Sequence, residues 1–383
     1  MVVGQSPTTN SHQKRIRTDV KTSATIKAAA LGGIALLALT SCAANEAAAP
    51  AEEGAASSLT GTLVGGGASS QGSAQEAWIA GFQTANADVT VNYDPAGSGA
   101  GRDTFQQGAS AFAGSDRAFK VDEIAAGPFE ACATPDIVEV PAYISPIAII
   151  FNLEGVDSLD LDADTVAKIF AGQITKWNDP AITALNPDAK LPDAAISPVH
   201  RSDKSGTTGN FTDYLAAAAP SSWTAGSVEE WPTELGGEAA QGTSGVVEAV
   251  TNGVGMIGYA DASRAEGLGT VAIKVGDKFV SYSPEAAAAI VDASELEGDR
   301  TEHDIAIKLD RTSTEDGVYP IVLVSYLIGC EKYADAANAE LVKAYFSYIV
   351  SEEGQQVAAD AAGSAPISAD LRTKIEPAIA SIS

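Results

Sequence analysis

Apolar and polar positions along this chain switch repeatedly between a strand period and a helix period. Residues 59–64 read as a strand, and the glycines at 65–67 lead into Ser69 and Ser70. Ala74, Ala77, Trp78, Gly81 and Phe82 then recur at the spacing that sets one helix face against a core. Residues 88–93 alternate with period two, as a half-buried strand does. The glycines of 97–101 break that strand, and a helix is expected from about Arg102. Residues 111–116 read as a short strand ending in Asp116, and 147–151 as a buried strand bounded by Pro146 and Asn152. Asp164 is expected to cap a helix through Ile169 and Phe170, and Ser205 opens one that runs to about Ala218. Residues 243–252 read as a helix, 254–259 as a strand and 336–350 as a long amphipathic helix. No repeat of fixed period is present.

Strands that alternate with helices through short glycine-rich loops predict an α/β fold. Such folds place ligands at the carboxyl ends of strands, where helix N-termini offer free N–H groups to anions. Three loops of this kind carry hydroxyls: Gly67 to Ser70, Gly97 to Gly99, and Arg201 to Thr207. Taken singly, each reads equally as an N-cap or a tight turn. Asp116 alone reads as a cap, and Arg201 with Asp203 as a solvated ion pair. Together, the three loops could converge on one tetrahedral oxyanion.

The first 58 residues have a different character. Lys14, Arg15, Arg17, Lys21 and Lys27 precede an apolar run at 28–39 that is too short to cross a bilayer. The run ends Leu39-Thr40-Ser41-Cys42, which looks like a bacterial lipobox. Residues 1–41 are therefore expected to be a lipoprotein signal peptide, with Cys42 receiving the lipid. Residues 42–58 hold no large apolar side chain and read as a flexible tether to the membrane. The chain has three cysteines, so lipidation of Cys42 leaves Cys132 and Cys330. In an oxidising space this pair is expected to form one disulfide, with two buried thiols as the alternative.

The 383 residues carry 23 basic and 50 acidic side chains, a formal net charge of −27. That balance repels nucleic acid, so any anion must be held by local geometry. No Cys/His cluster has metal-site spacing and no phosphate-binding Gly-Lys-Ser/Thr loop is present, so neither metal nor cofactor is expected. His200 beside Arg201 lacks a serine–histidine–carboxylate setting and is expected to be structural. Trp78, Trp177, Trp223 and Trp231 are expected to pack the core.

Several of these segments, read together, resemble the periplasmic phosphate-binding proteins of the phosphate-specific ABC transporter. The matching pieces are 91–93 with Gly97-Ser98-Gly99, 112–116, 169–172 with Lys176-Trp177-Asn178-Asp179, 201–208, 255–259 and 353–356. The resemblance implies a two-lobed type II periplasmic solute-binding fold with a ligand cleft. Lobe I would comprise 59–152 and 320–383, and lobe II 153–319. It implies inorganic phosphate as ligand, bound by Ser69, Ser70, Ser98, Asp116, Arg201, Ser205, Gly206 and Thr207. Asp116 would accept a proton from phosphate, and Asp203 would hold Arg201. The family has Thr-Phe where this chain has Ser69-Ser70, so a hydroxyl is kept and an aromatic lost. The implied partners are the permease subunits of a phosphate ABC importer and, through Cys42, the cell membrane. Three rivals remain: a binding protein for sulfate, molybdate or tungstate, a secreted phosphatase, and a sensor or adhesin with no transport partner. Neither metal ligands nor an activated nucleophile supports the phosphatase, and no enzyme activity is expected.

Overall fold

The computed structural model describes residues 59–383; the expected signal peptide, Cys42 and the tether lie outside the described residues. The first strands are β1 (Gly61–Gly67), β2 (Val89–Asp94), β3 (Phe112–Ser115) and β4 (Ile137–Phe151). Next come β5 (Ser158–Leu161), β6 (Ser197–Arg201), β7 (Glu238–Ala240) and β8 (Met256–Asp261). They are followed by β9 (Gly269–Val275), β10 (Lys278–Val280), β11 (Glu295–Leu296), β12 (Ile307–Lys308) and β13 (Val322–Cys330). The main sheet runs β2-β1-β3-β13-β4-β8-β6-β7, with β9 pairing to β4, β5 and β10.

One strand belongs to both halves of this sheet. The first ten residues of β4 pair with β13, and residues 147–151 pair with β8. The change of partner falls just after Pro146, where Ile147 donates its N–H to the Ile321 carbonyl at 2.7 Å. Proline has no N–H to place in a ladder, so it fits where a strand changes neighbour. The expected strand at 147–151 therefore starts ten residues earlier, and all fifteen residues of β4 are buried. Helices cover each half, giving a two-lobed α/β fold whose halves meet at β4.

Local boundaries moved for identifiable reasons. The helix expected from Arg102 is Ser98–Gln106, because Gly97 at φ 113° turns the chain directly into it. Asp162, not Asp164, caps the helix Ala163–Phe170 by accepting the Thr165 N–H at 2.8 Å. Asp164 sits in the first turn and pairs with Lys168 at 2.5 Å. The strand expected at 254–259 begins at Met256, since Val254 is 78% exposed at a turn. The helices Gly206–Ala218, Gly242–Asn252 and Ala336–Val350 lie where periodicity places them.

Cys132 and Cys330 are disulfide-bonded, with Cα atoms 5.3 Å apart at a sequence separation of 198. Closing a loop of that length in the unfolded chain is worth about 5 kcal/mol in the chain-entropy account. All four tryptophans are buried. His200 stacks on Trp231 with ring centroids 4.9 Å apart, and burial lowers its pKa, as a packed neutral imidazole requires.

Candidate functional site

Asp116 follows the end of β3 and is 3% exposed. Its carboxylate collects hydroxyls from three separate parts of the chain. Ser70, in the 3₁₀ turn Ser69–Gln71 after β1, donates to Oδ1 at 2.6 Å. Ser325 of β13 donates to the same oxygen at 2.8 Å. Thr207, in the first turn of the helix Gly206–Ala218, donates to Oδ2 at 3.0 Å. The backbone of Asp116 is tied as well. Its N–H donates to Ser98 Oγ at 3.1 Å, and its carbonyl accepts from Asn210 Nδ2 at 2.6 Å. Burial pushes the Asp116 carboxyl up, while the hydroxyls of Ser70, Ser325 and Thr207 and the charge of Arg201 oppose it without cancelling it.

Gly206 lies tightly against Ser98 and Asp116. A Cβ there would stand 2.5 Å from Ser98 Oγ and 2.6 Å from Asp116 Cβ, so only glycine lets the helix start meet the end of β3. Gly99 N–H reaches the Lys204 carbonyl across the same gap at 3.0 Å. Ser205 is the N-cap of this helix, its Oγ accepting the Thr208 N–H at 3.2 Å. This is the N-cap role open to it from sequence, and it uses the Ser205 oxygen as an acceptor only.

Arg201 ends β6 and is 3% exposed. Its Nε donates to Asp203 Oδ1 at 2.7 Å, and Nη2 donates to Oδ2. Arg201 is buried and Asp203 largely so, unlike the solvated pair that sequence alone allowed. Burial raises the Asp203 carboxyl, but Arg201 and the Gly242 N–H at 3.1 Å outweigh it and hold the pKa below its usual value. Ser69 is engaged by the helix Gly242–Asn252. Its Oγ lies 3.1 Å from Thr243 Oγ1 and accepts the Thr243 N–H at 3.1 Å.

The structure thus brings Ser70, Ser98, Gly206 and Thr207 onto Asp116, and ties Ser69 and Arg201–Asp203 to the start of the helix Gly242–Asn252. A cavity of about 860 Å³ reaches Asp116 and Gly206 from the side of Arg117, Lys204, Asn210 and Arg311. At its wall, Arg102 grips Glu229 with Nη2 at 2.8 and 2.7 Å, and Arg117 adds a third contact at 2.9 Å. Sequence reasoning did not single out Ser325, Thr243, Asn210 or the Arg102–Glu229 pair. Ser325 did leave a signal: it is the one hydroxyl-bearing serine in the apolar run Val322–Cys330.

A PBP superfamily domain matches residues 47–353. The phosphate-binding protein PstS3 of Mycobacterium bovis is 35% identical over 327 residues, covering 84% of this chain and 86% of that protein. This chain belongs to the PstS family of phosphate-binding proteins. Within the family, PstS 2 of Mycobacterium tuberculosis is 34% identical over 330 residues, with coverages of 83% and 86%. The solved phosphate-binding protein of Stenotrophomonas maltophilia shares the fold at a TM-score of 0.61 and 19% identity, covering 83% of this chain and 94% of that one. PstS membership agrees with the resemblance carried by the glycine-hydroxyl loops and by residues 201–208.

Proposed function

We propose that this chain is an extracytoplasmic phosphate-binding protein that delivers inorganic phosphate to an ABC importer. The observation that carries the reading is a buried acceptor carboxylate, Asp116, under the influence of the Arg201 charge at the junction of two lobes. Arginine supplies a charge-assisted donor to an oxyanion. An ionised carboxylate in the same site accepts only, so it demands a proton from its ligand. Phosphate and arsenate at neutral pH carry such a proton, and sulfate does not.

The anion would sit among the Ser69–Ser70 turn, Ser98, Arg201 and the helix N-terminus at Ser205, Gly206 and Thr207. Lobe I would be built from 59–152 and 320–383, and lobe II from 153–319. The hydrogen bonds of Thr207 and Asn210 to Asp116 would then cross between lobes and favour the closed arrangement that a permease senses. Isothermal titration with phosphate, arsenate, sulfate and molybdate tests the reading. Tight binding of phosphate, competition by arsenate and rejection of sulfate are expected. Sulfate bound as tightly as phosphate would end it.

Membrane attachment through Cys42 belongs to the same proposal and rests on the lipobox-like Leu39-Thr40-Ser41-Cys42. Cys42→Ala is expected to move the protein from the membrane to the soluble fraction. A variant that still sediments with membranes as fully as the parent rules out this anchor.

A further inference from the structure

Ser325 stands outside the ligand set implied by family resemblance, yet the structure commits its only proton. Gln71 Nε2 donates to the Tyr326 carbonyl at 3.3 Å, and a carbonyl can only accept. That contact orients the Gln71 amide. The same Nε2 therefore donates to Ser325 Oγ, at 2.5 Å. With a donor already facing it, the Ser325 hydroxyl must point its proton elsewhere, and Asp116 Oδ1 lies 2.8 Å away. Behind Gln71 the chain continues. Gln75 Nε2 donates to Gln71 Oε1 at 2.8 Å, and the Tyr345 hydroxyl donates to Gln75 Oε1 at 2.8 Å. Gln71, Gln75, Ser325 and Tyr345 are all buried.

An ionised carboxylate offers roughly four acceptor positions, two on each oxygen. Ser70 and Ser325 take both positions on Oδ1, and Thr207 takes one on Oδ2. One position is left, on Oδ2. We propose that Ser325 is a specificity-determining positioning residue: its hydroxyl, aimed by the Gln71 amide, closes Oδ1 of Asp116 so that the site accepts a single ligand proton at Oδ2. The hydroxyls favour the ionised form of the buried Asp116 against its burial, and the arrangement selects a tetrahedral oxyanion with a protonated oxygen in one orientation. This rests on the phosphate reading and deepens it.

The charge that opposes the burial of Asp116 is that of Arg201, at the end of β6. Arg117 and Lys204 line the cavity beside it, and Tyr93 of β2, whose pKa is pushed up by burial and by Asp116, is a neutral phenol donating its hydroxyl to the Ala68 carbonyl at 3.0 Å. Arg102, in the helix Ser98–Gln106, is committed to Ser115 and Glu229. Neither Ser325 nor Gln71 carries charge, so changing either adds and removes no charge beside Asp116.

The test follows the Asp116 carboxyl by ¹³C NMR, assigned with Asp116→Asn, alongside phosphate titrations of the same proteins. In Ser325→Ala the Asp116 midpoint should rise by about one pH unit and phosphate should bind about tenfold more weakly. Ser325→Thr keeps the hydroxyl and should restore both. Gln71→Met leaves the hydroxyl but frees its direction, and should shift both the same way by less. An Asp116 midpoint in Ser325→Ala equal to that of the parent overturns the inference, whatever the affinity does. Failure of the phosphate reading would appear separately, as no phosphate binding by the unaltered protein.

Discussion

Asp116→Asn is expected to collapse the preference for phosphate over sulfate by roughly three orders of magnitude or more. Sites built around a ligand's hydroxyl reject analogues lacking it by about 10⁴–10⁵. The origin is a buried acceptor with nothing to accept, which costs several kcal/mol when the partner is charged. The substitution suits this site sterically and reverses its polarity. The Asn oxygen can replace Oδ1 and accept from Ser70 and Ser325, which lie 2.6 and 2.8 Å from that oxygen. The Asn nitrogen then replaces Oδ2 and faces Thr207 Oγ1, 3.0 Å from it. Thr207, no longer needed as a donor to Asp116, can turn its proton to the anion. The amide offers a second proton to the same place. Both changes favour an anion without hydrogens, so sulfate affinity should rise while phosphate affinity falls. The ratio of the two dissociation constants in parent and variant is the measurement. An unchanged ratio removes Asp116 as the source of discrimination.

Arg201→Met should weaken phosphate binding by about 10²–10⁴-fold and lower the melting temperature. Removing one partner of a buried ion pair costs about 3–5 kcal/mol, because the other charge is stranded. Asp203 would lose its guanidinium, keep backbone N–H donors such as Gly242 at 3.1 Å, and stand as an uncompensated carboxylate near an incoming anion. The loss therefore has two parts: a missing donor to the ligand and a new repulsion. Arg201→Met combined with Asp203→Asn removes the repulsion and should recover part of the stability and of the affinity. Calorimetry and thermal melts on both variants separate the parts. A single variant that binds within tenfold of the parent would show that Arg201 serves the fold and not the ligand.

Much of the site was legible because its ingredients are local. Ser70, Ser98 and Thr207 sit in turns or first helical turns that follow strands, and such places announce themselves by glycine and hydroxyl composition. Asp203 lies two residues from Arg201, so their pairing was readable as a pair, though not as a buried one. The disulfide was readable only as what remained after Cys42 was set aside. Boundaries slipped where two equivalent residues competed, as Asp162 and Asp164 did for one cap. They slipped also where proline looked like a stop, as Pro146 did inside β4.

The sequence by itself determined the alternation of strands and helices, the loops that start the binding helices and the residue types placed there. Those features follow from side-chain period, capping and glycine conformations within a few residues. Tertiary structure alone decided which polar groups meet. Ser325 reaches Asp116 from 209 residues away, Gln71 reaches Ser325 from 254, and Ser69 reaches Thr243 from 174. A lone serine in an apolar strand has no periodic signature that names its partner. Its role comes from register: Tyr326 pairs with Ser115 across the antiparallel ladder, which sets Ser325 beside Asp116 at the end of β3. Register in a sheet is fixed by the burial of whole faces, and that is a property of the assembled lobe and not of any segment within it.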